Sequence, residues 1–175
     1  MKLSVVIPVY NEVENLQLLH EAIHQALKSV KYSWEMILVD DGSTDKSPEE
    51  LEKLARKDPR YVRVVLLRRN FGQTTAIAAG IDQALGEIIV MMDADLQNDP
   101  IDIPAMIVKI DEGYDVVSGW RFNRKDKFSK RFFSLIINKL RRKMIGDRLH
   151  DYGCSLKIYK RECIKDIINY RTWKY

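Results

Sequence analysis

The chain has 175 residues, 46% of them hydrophobic and 31% charged, with a formal net charge of +4. That length suits a single domain spanning 1–175 with a core of several layers, and the composition excludes a disordered, fibrous or disulfide-built protein. The longest apolar runs reach about a third of the roughly 20 residues a membrane span needs, and the opening MKLSVVIP has no cleavage site, so neither a span nor a secretion signal is expected.

Taken in chain order, apolar runs alternate with helical patterns. Leu3 to Pro8 reads as a strand. Asn11 then stands as a helix cap, with Glu14 three residues on to complete a capping box. Leu16, Leu19, Ile23, Leu27 and Val30 follow at spacings of three and four, one apolar helical stripe. Trp34 to Val39 is a second strand, and Ser47, Pro48 and Glu50 open a second helix. Val62 to Leu67 is the third strand and Thr74 to Leu85 the third helix, whose Ala76, Ala78, Ala79 and Gly80 permit close packing on a sheet. A fourth strand begins at Ile88, a further helix runs from Ile103 to Ile110, and Asp115 to Trp120 is a fifth strand. Strand and helix in regular alternation predict an α/β fold: three layers around a mostly parallel central sheet. Cys154 and Cys163 match no metal-binding spacing and read as reduced, buried thiols of a cytosolic protein.

In such folds ligands bind beyond the carboxyl ends of the strands, and the unusual clusters fall there. The fourth strand ends in Asp93-Ala94-Asp95. In an extended segment the two carboxylates share a face while Ala94 turns aside. Their repulsion is relieved by a hard cation such as Mg²⁺ or Mn²⁺ that also bridges substrate phosphates; the alternative is a pair of solvated loop aspartates. VDDGSTD, residues 39–45, puts Asp40 and Asp41 where carboxylates could accept hydrogen bonds from ribose hydroxyls or base N–H groups. A turn with a helix cap accounts for Gly42 and Asp45 but not for adjacent aspartates. After the first strand, Tyr10 could stack on a base and Glu12 bond its edge, although Glu12 could equally complement a helix dipole. The chain has no GxGxxG after the first strand and no GxxxxGK[ST], which disfavours a nicotinamide enzyme and a P-loop ATPase.

Charge is segregated. Between Arg121 and Arg148 there are 11 Lys or Arg against Asp126 and Asp147, so the rest of the chain is mildly acidic. Such a basic face implies an anionic partner. Phe128, Phe132, Leu135, Ile136 and Leu140 recur at helical spacing within segment 124–145, flanked by Lys130, Arg131, Arg141, Arg142 and Lys143. That amphipathic pattern suits a membrane surface, and it also fits a core-packing helix with a solvated basic side. A nucleic-acid-binding module is disfavoured: the aromatics sit on the apolar stripe, and the acidic strand ends would go unexplained.

Together VVIPVYNE, VDDGSTD, RRNFGQTTAIAAGID, MDADLQNDP and DVVSGWR resemble the large inverting nucleotide-sugar glycosyltransferase family with the GT-A fold, over about residues 3 to 163. They look most like its polyprenyl-phosphate branch, the dolichol-phosphate mannose synthase and undecaprenyl-phosphate glycosyltransferase type. The resemblance implies a metal-dependent enzyme, using Mg²⁺ or Mn²⁺, that moves a hexose from a UDP- or GDP-linked donor to a polyprenyl phosphate. By it Pro8, Tyr10, Glu12, Val39, Asp40, Asp41 and the segment Asp93, Ala94, Asp95 bind the nucleotide sugar. Asp93 and Asp95 match the metal-binding pair and Gln97 a further ligand. Arg121 matches an arginine near the donor diphosphate or acceptor phosphate, Arg131 is the expected acceptor-phosphate contact, and Asp151 occupies the place of an acidic residue near the acceptor. A lipid phosphate arrives largely ionised, its second pKa being roughly 6 by analogy with phosphorylated side chains, so Asp151 would orient groups; a sugar hydroxyl would need it as general base. That second acceptor defines the competing reading, a polysaccharide- or glycolipid-forming transferase. The QxxRW motif of many such enzymes has no match, and Arg171-Thr172-Trp173 is no substitute. The resemblance further implies a peripheral position at the cytoplasmic membrane face. Relatives of this type commonly continue into membrane helices, so the chain is expected to be a soluble fragment or a peripheral enzyme, with assembly into homo-oligomers left open.

Overall fold

Alternation of side chains decides which helix covers which face of the sheet. The computed structural model describes residues 2–120 and 153–164. Strand β1 (Lys2–Val9) sends Leu3, Val5, Ile7 and Val9 to one face and Val6 to the other. The first face receives α1 (Leu16–Leu27), whose Leu16, Leu19, Ile23 and Leu27 form the predicted stripe and are buried. It also receives α2 (Ser47–Lys57) through Leu51 and Leu54, and α4 (Ile103–Asp111) through Ile103, Met106, Ile107 and Ile110. The opposite face, with Val6, Ile37, Val39 and Ile89, is covered by α3 (Gln73–Gln83) and by Ile164. The result is the expected three-layer α/β arrangement.

The six strands run in the order β3-β2-β1-β4-β6-β5, with β2 at Ser33–Asp40, β3 at Val62–Leu66, β4 at Ile88–Met91, β5 at Val116–Ser118 and β6 at Lys157–Lys160. The first four are mutually parallel, as strand–helix–strand crossovers require. At the other end β6 lies antiparallel between β4 and β5. β5 therefore runs in the same sense as β4 without pairing with it, and Gly119 and Trp120 emerge at the same sheet edge as Asp93.

Two local expectations are overturned, at Asn11 and at Cys163. Asn11 caps no helix: it sits at φ 57°, and α1 starts only at Leu16. Its Oδ1 instead accepts hydrogen bonds from the backbone N–H groups of Thr44 and Asp45, tying the loop after β1 to the loop after β2. Ser47, expected at the head of α2, is wholly buried and its Oγ accepts from the backbone N of Glu12. Of the two free thiols Cys154 is buried, but Cys163 is only half-buried. No described helix is long and apolar enough to cross a membrane.

Candidate active site

The carboxyl ends of β1, β2 and β4 and the turn before α3 enclose a cleft of about 250 Å³. Its walls include Pro8, Tyr10, Glu12, Asp41, Asp93 and Asp95, together with Ala94 at its floor. Seven of the nine residues expected at the nucleotide sugar thus border one space. The other two, Val39 and Asp40, lie at the end of β2 beneath it, both buried.

The aspartate pair after β2 is held in two different ways. Asp41 spends both carboxylate oxygens on the chain itself, accepting from Phe71 N and Gly72 N at 2.8 Å each. It fixes the turn that opens α3, and only its remaining lone pairs face the cleft. Asp40 uses Oδ2 to accept from Gly42 N and Ser43 N at 3.1 Å, closing the turn. Its Oδ1 is buried without a partner, a polar atom whose desolvation nothing in the described chain offsets. Gly42 is required in this turn: φ is +70°, and a Cβ would stand 2.3 Å from the backbone carbon of Arg69. That close approach brings Asn70 to the cleft. Beside it the Arg69 guanidinium lies 4.8 Å from the Phe71 ring centre, a cation–π contact.

After β4 the chain behaves as alternation predicts. Ala94 is buried at 3% exposure, whereas Asp93 and Asp95 are half-buried along the cleft. Asp93 Oδ1 accepts from Gln73 Nε2 at 2.5 Å, and Asp95 Oδ1 accepts from the backbone N of Gln97 at 3.1 Å. The latter contact closes a tight turn through Leu96 at φ 57°. Gln97 contributes this backbone bond while its side chain is exposed, and it is not among the residues bordering the cleft. Asn98, next in line, is buried and holds the turn to the β6 arm: Nδ2 donates to Ser155 Oγ at 2.7 Å, and Oδ1 accepts from Cys154 Sγ at 3.2 Å. Neither Asn98 nor Gln73 was among the expected site residues. Both stand inside the quoted motifs, MDADLQNDP and RRNFGQTTAIAAGID, which is the signal that could have found them. Arg121, Arg131, Asp151 and segment 124–145 lie outside the described residues.

Two half-buried carboxylates on one wall fit the ligand set of a hard divalent cation completed by substrate phosphate oxygens. A cage supplied by the protein alone is absent among the described residues: no third acidic, His or Cys ligand atom joins Asp93 and Asp95 there. The arrangement can therefore hold a metal together with a phosphorylated substrate better than it can hold a metal alone.

Comparison with known proteins identifies this site's family. The family model described as glycosyl transferase family 2 matches residues 4–168. This chain belongs to glycosyl transferase family 2. It is 46% identical over 169 residues to dodecaprenyl-phosphate galacturonate synthase of Rhizobium johnstonii, covering 95% of this chain and 50% of that protein. It is 45% identical over 163 residues to undecaprenyl-phosphate 4-deoxy-4-formamido-L-arabinose transferase of Proteus mirabilis, covering 93% and 50%. The chain thus spans about half the length of the curated relatives it matches. Among solved structures, a mannosyltransferase from Pyrobaculum calidifontis in complex with GDP-Man and Mn²⁺ superposes with a TM-score of 0.67 at 25% identity, over 94% of this chain and 46% of that one. Glucosyl-3-phosphoglycerate synthase from Mycobacterium tuberculosis matches with a TM-score of 0.70 at 21% identity, over 93% and 58%, a likeness of fold. The family 2 chain has the GT-A fold that its motifs resemble.

Proposed function

We propose that this chain is the catalytic domain of an inverting glycosyltransferase that moves a sugar from a nucleotide diphosphate donor to a polyprenyl phosphate at the cytoplasmic face of a membrane. The observation that carries this reading is the cleft joining Asp93 and Asp95 to Tyr10, Glu12 and Asp41 in a family 2 fold. The acceptor rests on the relatives, whose names specify dodecaprenyl and undecaprenyl phosphate. Those names include a galacturonate and a substituted arabinose, so the donor class is wider than the hexose that the motifs imply.

In this reading the nucleotide lies between the β1 and β2 ends. Tyr10, 45% exposed, offers a ring face to the base. Asp41 borders this end of the cleft and Asp40 lies beneath it, with Asp40 Oδ1 the acceptor atom still lacking a donor. Asp93 and Asp95 would hold Mg²⁺ or Mn²⁺ against the diphosphate, which supplies Lewis-acid stabilisation of the leaving group when bound. Gln73, bonded to Asp93, keeps that carboxylate turned along the cleft wall. The reaction breaks the anomeric C–O bond to the diphosphate and forms one to the acceptor phosphate oxygen on the opposite face. The nucleoside diphosphate departs with the bonding pair. A phosphate with a second pKa of roughly 6 already carries the attacking charge, so no side chain need remove a proton. Asp151 and Arg121 are then proposed to orient the acceptor, with Arg131 on its phosphate.

Incubation with undecaprenyl phosphate and a panel of UDP- and GDP-sugars, followed by mass spectrometry of the lipid fraction, tests the proposal. A glycosyl polyprenyl phosphate formed by the full-length protein, and lost in Asp95→Asn, is expected. Transfer to sugar hydroxyls with none to the lipid phosphate would replace the acceptor.

A further inference from the structure

The edge of the sheet where the parallel strands begin carries a second group of chemistry-bearing side chains, remote from the cleft at their carboxyl ends. Residues 20–24 of α1 read HEAIH, two histidines four apart on one helix face, a spacing by which helices bind zinc. Both rings aim Nε2 at a single atom, Oδ2 of Asp58, at 2.9 Å from His20 and 2.6 Å from His24. The three ligand atoms lie within 4.8 Å of one another, and they form the one such group among the described residues.

The cluster is built rather than incidental. His20 is 8% exposed, and its Nδ1 is sealed from solvent without a partner, so Nε2 is the ring's only binding atom. His24 packs edge-on against Trp34 and Tyr61, at 4.8 and 5.1 Å between ring centres, and those two rings stack at 4.2 Å. Asp58 closes α2, its N–H bonded to Leu54 O, while its own carbonyl oxygen accepts from Val62 N. Each ligand is thus held by its own surroundings. A tetrahedral zinc ion keeps its ligand atoms roughly 3.3 Å apart, so the carboxylate would retreat by about 0.4 Å from His20 and about 0.7 Å from His24 to admit the ion. An open cavity of about 800 Å³ lies alongside, with room for water at the fourth position.

We propose that His20, His24 and Asp58 form a three-ligand site, its fourth position open to water, for Zn²⁺ or a similar borderline divalent ion, which bridges α1 and the turn between α2 and β3. Two imidazoles with one carboxylate select that class of ion over Mg²⁺, which takes oxygen ligands. The two sites of the molecule would then differ in metal as well as position. Neither depends on the other.

The test is titration of tag-free, chelator-treated protein with Co²⁺ as a spectroscopic probe. One equivalent should bind with the intense visible absorption of a tetrahedral site, and Zn²⁺ should displace it and raise the melting temperature. His24→Gln and Asp58→Asn should each weaken uptake by more than the roughly 10–100-fold that loss of an outer-shell partner costs. Glu52→Gln, which removes an exposed carboxylate of α2 paired with Arg56, should leave uptake unchanged. The chain has three histidines, so a reading that needs no variant is available: one equivalent of Zn²⁺ should move the ring resonances of His20 and His24 and spare His150. Absence of Co²⁺ uptake, uptake indifferent to His24→Gln, or movement of His150 alone would overturn the site.

Discussion

Residues that look alike in the sequence do different work according to which backbone groups reach them. Asp40 and Asp41 were legible as an acidic strand end, but not that Asp41 would be consumed by the N–H groups of Phe71 and Gly72, thirty residues on. Glu35 is a sharper case, since nothing in WEMILVD singles it out. It is 3% exposed, yet accepts from Ser4 Oγ at 2.7 Å and Leu85 N at 2.8 Å and pairs with Lys2 and Arg63 at 3.2 Å each. Burial alone would raise its pKa, but these hydrogen bonds outweigh burial and hold it below the usual glutamate value. A depressed folded-state pKa gives stability that is present above the unfolded carboxylate range, about 4.3, and is lost as pH falls through the folded value. Glu35→Gln should therefore lower the melting temperature at neutral pH and flatten its decline below about pH 4. An unchanged acid limb in thermal melts would show that Glu35 titrates as an exposed group.

At the scale of elements, periodicity carried most of the fold. The first four strands and the stripe of α1 follow from patterns of two and of three-to-four residues. Strand β6 does not, because KIYK is four residues long with a lysine at each end, and its place is set by antiparallel pairing on both sides. Asn11 misled because a cap motif and a loop tie use the same side chain, and only the neighbouring loop decides between them. The small residues of α3 predict close packing on the sheet, and Gly80 gives that a distance: a Cβ there would meet Val6 Cγ1 at 2.5 Å and Val39 Cγ2 at 2.9 Å. Alanine gains about 1 kcal/mol over glycine in a helix. Overpacking a filled core costs typically 1–3 kcal/mol, so the clash should win. Gly80→Ala should be net destabilising by about 1 kcal/mol in urea unfolding. A stabilised variant would mean that α3 sits further from the sheet.

For the whole molecule, the division of charge links the fold to its surroundings. The basic residues gathered between Arg121 and Arg148 sit in sequence between β5 and β6, whose carboxyl and amino ends respectively face the cleft edge. We propose segment 124–145 as the membrane-facing element, drawn to anionic headgroups at about 1 kcal/mol per basic residue near the surface. Flotation with vesicles containing phosphatidylglycerol should recover the protein at low salt. Recovery should fall as salt shortens the Debye length, and fall again in Lys130→Ser/Arg131→Ser. Equal flotation with neutral vesicles would assign the segment to packing instead.

The central claim is that the strand-end cleft is a metal-assisted nucleotide-sugar site built on Asp93 and Asp95. Calorimetric titration of UDP- and GDP-sugars, with Mn²⁺ and with EDTA, tests it most directly in the wild type and Asp93→Asn. The account predicts binding of one nucleotide class with Mn²⁺, abolished by EDTA and by the substitution. Equally tight binding in EDTA, or in Asp93→Asn with Mn²⁺, would contradict it.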